Sequence, residues 1–382
     1  MLTFEPNTEN NWLMTYNWQR PGWGNFTYNL DNQQDLLYKF AEQTGEVTGM
    51  LKGLPPDIAM EALIDMMVAE AVKSSEIEGE YLNREDVMSS IRNNIGLNET
   101  IQRVPDKRAE GIGELMVDVR NSYADTLTQE KLFAWHIMLM RGSRGINAGS
   151  WRTHSEPMQV ISGSASNPKV HFEAPPSQQV AGEMEAFIDW FNRTAPGEVD
   201  EINKAPVRAG IAHLYFESIH PFEDGNGRIG RAIAEKALSQ GIGRPVLLSL
   251  SKTIEKKKKD YYNALEQAQS GNEITNWLRY FIEMTFAAQT DAEEAIGFTL
   301  RKVRLFDRSR TLMNERQLTV VTRMLDEGPS GFEGGMTAKK YMSIAKTSKA
   351  TATRDLQDLV DKEILILFGD SGGRSTRYQV NI

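Results

Sequence analysis

The chain contains no cysteine, which excludes disulfide bridges and thiolate metal centres from any account of its stability or chemistry. It also lacks an apolar run approaching the roughly 18 residues that a bilayer-spanning helix needs, so no membrane partner is expected. The segment Met1–Trp12 is polar and has no basic stretch followed by an apolar one, so no secretory signal is expected. The cytoplasm is the simplest compartment for such a sequence.

What remains is ordinary globular material. Hydrophobic residues make up 40% and charged residues 25% of 382 positions, enough for real cores in two or three domains. The net charge of −9 is unevenly spread. Residues 301–382 hold fifteen Lys/Arg against ten Asp/Glu, and the other 300 hold 28 against 42. A basic tail on an acidic body leaves DNA open as a partner.

Helical spacing runs from Asp31 through Val47. Pro55-Pro56-Asp57 starts a long helix to about Glu78, with Met60, Leu63, Ile64, Met67 and Val68 on its apolar side. Helices are also expected from Asn83, over 105–125, 129–141 and 178–192, from Thr253 to Gln269 and from Ile274 to about Thr299. His136, among Leu132, Trp135 and Leu139, reads as a core histidine. Two β-prone runs within 158–173 read as a hairpin around Ser164-Ala165-Ser166. Beyond 300, helices over Arg316–Leu325, Thr337–Ala345 and Lys349–Lys362 precede a hairpin, Ile364–Phe368 with Thr376–Val380. That order suggests a winged helix-turn-helix, with Lys349, Arg354, Arg374 and Arg377 on its basic elements. The expected domains are 1–104, 105–299 and 300–382.

The densest chemistry is in His220-Pro221-Phe222-Glu223-Asp224-Gly225-Asn226-Gly227-Arg228-Ile229-Gly230-Arg231. A helix over Ala205–Ile219 should precede it, with Ile211, Leu214, Tyr215 and Ile219 on an apolar face, and another over Ile229–Leu238 should follow. The glycines would place bare N–H groups at a helix start, a site for anionic phosphate. Arg228 and Arg231 add charge that does not titrate. Asp224 suits Mg²⁺ shared with phosphate oxygens, Asn226 could donate to oxygens gaining charge, and His220 could take a proton from an attacking hydroxyl.

This stretch resembles the motif of the Fic family, His-Pro-Phe-x-Asp-Gly-Asn-Gly-Arg-x-x-Arg, at every defined position. The resemblance implies a mainly α fold with a β-hairpin flap and transfer of AMP from ATP to a Tyr, Thr or Ser hydroxyl of a target protein. His220 and Asn226 would be catalytic and Asp224 would hold Mg²⁺. Gly225, Asn226, Gly227, Arg228, Ile229, Gly230 and Arg231 would hold the nucleotide. One branch of the family carries Lys in place of the last loop glycine and transfers phosphate; Gly227 favours nucleotidyl transfer.

Three further segments fit that resemblance. Ser74-Ser75-Glu76-Ile77-Glu78-Gly79 is similar to the inhibitory helix of Fic proteins, here within 57–79. Glu78 beside Arg231 would occupy the charge meant for the γ-phosphate, and Ser74 and Glu78 would be regulatory. Tyr261-Tyr262-Asn263-Ala264-Leu265 matches the run that supplies the adenosine platform, which assigns Tyr262 and Asn263 to the pocket, with Gln159–Ile161 on its far side. The hairpin 158–173 corresponds to the flap that holds a target's backbone. His171 on it reads either as a second base or as a flap surface residue. Two alternatives stay open: Glu78 could orient a water to remove AMP, or the Fic domain could be a nucleotide sensor on a DNA-binding regulator. Relatives' self-association also leaves a homodimer open.

Overall fold

The computed structural model describes residues 16–164, 167–328, 332, 334–368 and 376–382. The tip of the 158–173 hairpin at Ala165-Ser166, and Gly369–Gly373 with Arg374, lie outside the described residues. The fold is mainly helical, as expected. It divides into two compact units, one built from residues up to Glu42 with Leu63–Gln289, the other from Gln43–Ala62 with Thr290–Ile382. Helix α1 (Gln34–Lys52) is followed by α2 (Pro56–Ile77), α3 (Arg84–Asn94), α4 (Lys107–Asn121) and α5 (Gln129–Leu139). Side chains cap several of these: Asn83 accepts from the Glu85 and Asp86 N–H groups of α3, and Thr128 from Lys131 in α5, satisfying donors that a helix start leaves free.

The hairpin forms where expected, as β1 (Gln159–Ser164) and β2 (Asn167–Glu173) in antiparallel register, with an irregularity between Val160 and Ile161. Helix α6 (Ser177–Arg193) leads to α7 (Ala205–Ile219) and α8 (Asn226–Ile242). The span of α7 matches its sequence pattern, but its environment does not. All its residues are buried, not one face alone, because it is apolar nearly all round and α6, α8 and the later helix α11 enclose it. Trp277 of α11 donates to the Gly210 carbonyl at 2.8 Å. The polar side chains of α7 are correspondingly tied down. Arg208 donates to Thr194 Oγ1, Gln240 Oε1 and the Phe191 carbonyl, and Ser218 accepts from Asn17.

The expected helix over Thr253–Gln269 is two helices, α9 (Leu250–Lys256) and α10 (Lys258–Ala268), broken at Lys257. The Ser249 hydroxyl starts α9 by accepting from the Lys252 N–H. Helix α11 (Thr275–Ser309) runs through position 300 without a break, so the composition change there is not a break in backbone structure.

The second unit holds α12 (Glu315–Leu325), α13 (Ala338–Ala345), α14 (Lys349–Asp361) and the antiparallel pair β3 (Leu365–Leu367) and β4 (Tyr378–Val380). Its core gathers Leu305, Val320, Met324, Leu356, Leu359 and Leu365. Buried Asp355 of α14 accepts from the Tyr341 hydroxyl at 2.9 Å and from Arg316 Nε at 3.1 Å, tying three helices through one carboxylate.

Candidate active site

His220 ends α7 in the left-handed region, at φ 51°. A non-glycine residue there is strained, and such strain concentrates at functional sites. The strain is supported from outside the motif. Arg152, fully buried, donates from Nε to the His220 carbonyl at 2.8 Å and from Nη2 to the Pro175 and Ile219 carbonyls at 2.5 and 3.3 Å. A cation thus meets the carbonyls that the C-terminal end of α7 leaves unpaired. Burial pulls the Arg152 guanidinium down to about 10. Nothing in the local sequence pattern singled out Arg152.

His136 is a core histidine, as expected, and it also supports the loop. Its Nδ1 accepts from the Gly149 N–H at 3.0 Å, so the proton is on Nε2, which reaches the Asp224 carbonyl at 3.2 Å. The ring stacks on Phe222 at 4.0 Å between centroids. Burial pushes its pKa down to about 4, in keeping with a neutral prop.

Helix α8 starts at Asn226, three residues earlier than its apolar spacing suggests, with Gly225 at φ 81° as its cap and no side-chain capping bond. That start sets the surroundings of three motif residues. Asn226 is 2% exposed, and its carboxamide closes on the main chain of Phe222, accepting from N–H at 2.9 Å and donating to C=O at 2.8 Å. It clamps the loop and does not line the cavity described below. Ile229 is buried in the core, and its N–H is bonded to the Gly225 carbonyl. At Gly230 the space for a Cβ is taken by a carboxyl: it would stand 2.2 Å from Glu217 Oε1.

The two arginines of the motif are both buried and both paired with the segment that follows α2. Arg231 donates from Nε to Ser74 Oγ at 2.9 Å, and from Nη2 to the Ser74 carbonyl at 2.9 Å and Glu78 Oε1 at 2.8 Å. Arg228 Nη1 reaches Glu80 Oε2 at 2.8 Å, and its Nη2 lies 3.6 Å from Asp224 Oδ1. Glu80 was not singled out in the sequence; its place two residues past Glu78 is the only signal it gave. Burial raises the Glu78 carboxyl, but the Arg231 charge and hydrogen bond outweigh it and leave it below the ordinary carboxylate range. The same contact raises Arg231, against the opposing effect of burial. Lys258 donates to the Ile77 carbonyl at the end of α2.

Glu78, Arg231 and Lys258 line a cavity of about 710 Å³. Glu78, Glu217, His220, Gly227 and Arg231 form its polar end. Tyr261, Tyr262, Asn263 and Leu265 of α10 form one wall, and Gln159, Val160 and Ile161 of β1 another. The expected platform and its far side therefore face one space. Tyr261 is itself buried, its hydroxyl 2.7 Å from His213 Nε2. His171 lines the same cavity with Nδ1 2.9 Å from Glu266 Oε2. Lys258 and Lys259 bring positive charge to the rim.

Asp224 is 53% exposed and accepts from the Gly225 N–H at 2.6 Å. Among the described residues no three His, Cys, Asp or Glu side chains gather into a metal site. A single exposed carboxylate at a helix start nevertheless fits Mg²⁺, which commonly takes one or two carboxylates and completes its shell with water and phosphate oxygens.

A buried histidine, a buried arginine and a helix start around one cavity agree with the comparison to known sequences. A model of the "Fic/DOC family" matches residues 126–238. The chain carries a Fic/DOC domain. A second model, described as "Domain of unknown function (DUF4172)", matches residues 16–97, which contain Ser74 and Glu78. Protein adenylyltransferase Fic of Nematostella vectensis is 29% identical over 262 residues, 66% of this chain and 54% of that protein. Protein adenylyltransferase fic-1 of Caenorhabditis elegans is 26% identical over 156 residues, 41% of this chain and 27% of the other. The chain thus spans about half or less of these relatives. A Fic domain-containing signalling protein from Bacteroides thetaiotaomicron has a similar fold, with TM-score 0.53 at 19% identity over 69% of this chain and 97% of that one. Among the described residues no helix is long and apolar enough to cross a membrane.

Proposed function

We propose that this protein is an adenylyltransferase that moves AMP from ATP to a Tyr, Thr or Ser hydroxyl of a target protein and of itself, and that Glu78 restrains it. The observation that carries this reading is the placement of His220, Arg231 and Glu78 around one cavity, with Arg231 bonded to both Ser74 and Glu78. The names of the relatives support the reaction class.

In this reading the α10 wall takes adenine and Arg231 is the group for the γ-phosphate. The target hydroxyl loses its proton to His220 as its oxygen bonds the α-phosphorus, and pyrophosphate leaves. Arg228 adds charge for the β-phosphate once it parts from Glu80. Mg²⁺ would be held by Asp224 and would supply neutralising charge to the phosphates. Asn226 serves by holding the loop in shape. The sheet of β1 and β2 has two strands, so its outer edges suit a target segment added as a further strand.

The remaining assignments follow the same scheme. Residues 1–104 carry the inhibitory helix, 105–299 the catalytic domain, and 300–382 a winged helix, whose Lys349 and Arg354 are exposed. We take that last unit to be a docking surface for protein in the cytoplasm, with homodimer formation and DNA binding as outcomes that sizing and a salt-dependent shift assay distinguish.

The test is incubation of wild type, Glu78→Gly and Glu78→Gly/His220→Ala chains with α-labelled and, separately, γ-labelled ATP. The α-label should appear on protein hydroxyls with Glu78→Gly and vanish with His220→Ala. Transfer of the γ-label instead would overturn the reading.

A further inference from the structure

Glu217 and His220 stand three residues apart on the last turn of α7. Glu217 is 5% exposed and lines the cavity beside His220. Its Oε1 is buried without a hydrogen-bond partner, and so is His220 Nδ1. The carboxyl Oε2 lies 4.0 Å from that nitrogen. The position is built: Gly230 of α8 leaves the space that Glu217 Oε1 fills, where a Cβ would come within 2.2 Å. Glu217 Oε1, packed toward Gly230, and His220 Nδ1 are each buried without a partner, and leaving such atoms unpaired is costly.

We propose that Glu217 is the residue that positions His220: its carboxyl accepts the Nδ1–H, so that Nε2 carries no proton and receives one from the target hydroxyl. The inference rests on the adenylyltransferase reading above. A small rotation of the ring closes the gap, as catalytic hydrogen bonds in empty sites are often long and shorten once substrate is bound. The balance is simple. The hydroxyl proton goes to Nε2, the oxygen–phosphorus bond forms, the bond to pyrophosphate breaks, and the imidazolium keeps its Nδ1–H on Glu217 until Nε2 returns its proton to water. A third group that orients a base through a hydrogen bond to its other ring nitrogen is the general logic of a nucleophile–base site.

The charged and titratable groups around the pair come from each neighbouring element: Arg231 from α8, Glu78 after α2, Tyr261 from α10, Arg152 before β1 and Asp224 from the loop. Burial pushes the Glu217 carboxyl up to about 8, Arg231 lowers it and Glu78 raises it. An oxygen of the group accepts a hydrogen bond in either protonation state. The competing acceptor is the main-chain carbonyl of Glu217, which also acts on His220.

The experiment compares full chains carrying Glu78→Gly alone, with Glu217→Gln, and with Glu217→Met. Glutamine keeps an acceptor oxygen; methionine keeps the length and loses the acceptor. With α-labelled ATP, methionine should lower kcat on the order of 10²-fold at an unchanged KM for ATP, while glutamine should retain most of the rate. Nitrogen-15 spectra of the imidazoles, with the His220 signal assigned by its loss in His220→Ala, should show the Nδ1–H tautomer in the parent and its loss with methionine. A Glu217→Met chain that keeps both rate and tautomer would overturn the proposal and assign Nδ1 to the main-chain carbonyl. Weakened ATP binding with an unchanged tautomer would also overturn it, placing Glu217 in the service of Arg231. If the Glu78→Gly parent transfers no AMP, the adenylyltransferase reading fails, and the tautomer comparison still decides what Glu217 does.

Discussion

Glu78 Oε1 lies 2.8 Å from Arg231 Nη2, and it does so in the space that a Cβ on Gly227 would occupy, 2.2 Å from the same oxygen. The glycine that leaves backbone bare at the start of α8 also admits the Glu78 carboxylate. The loop and the segment carrying Glu78 therefore depend on each other through an absent side chain.

Gly227→Ala should accordingly lower the melting temperature of the native chain, because the new methyl displaces Glu78 from Arg231. In a Glu78→Gly background the same substitution should cost much less. The difference between the two is a coupling, expected at about 0.5–3 kcal/mol for residues in contact. Equal effects in both backgrounds, measured by thermal or urea unfolding, would show that the contact contributes nothing.

Asp224→Ala should slow transfer strongly and leave the residual rate insensitive to Mg²⁺, because the lone exposed carboxylate at the loop is lost. A variant whose rate still rises normally with Mg²⁺ would place the ion on another residue.

Stability should peak near pH 6.5. Burial holds His136, His213 and His220 down near pH 4, so between about 4 and 6.5 the unfolded chain takes up protons that the fold refuses, and stability falls as pH drops through that window. Glu217 and Glu235 are pushed up to about 8, by burial first. Their contribution is complete below the ordinary carboxylate range and is lost as pH rises toward 8. Unfolding curves from pH 4 to 8 check both limbs, and Glu217→Gln should flatten the alkaline one.

Much of this was readable in the residues. The extent of α7 and the hairpin came from periodicity, and Ser74, Glu78 and Arg231 were singled out by the resemblance to the Fic motif and its inhibitory helix. What the sequence hid were contacts made across large separations by residues with no local pattern. Arg152 stands 68 positions from the His220 carbonyl that it holds, and His136 stands 88 from Asp224. The start of α8 at Asn226 was missed because spacing put it at the first apolar residue, whereas the backbone begins turning at the glycine cap. Glu217 was invisible for a simpler reason: one acid in an apolar run says nothing of what it faces.

The central claim is that Glu78 withholds Arg231 from the nucleotide. If closure leaves roughly one molecule in a hundred competent, the cost to productive binding is about 2.7 kcal/mol. The most direct measurement is the initial rate of self-modification by Glu78→Gly and wild-type chains at one ATP concentration, with and without Arg231→Ala. Glu78→Gly should be faster by up to about 100-fold, and should gain nothing once Arg231 is gone. A Glu78→Gly chain that modifies itself no faster than wild type would contradict it.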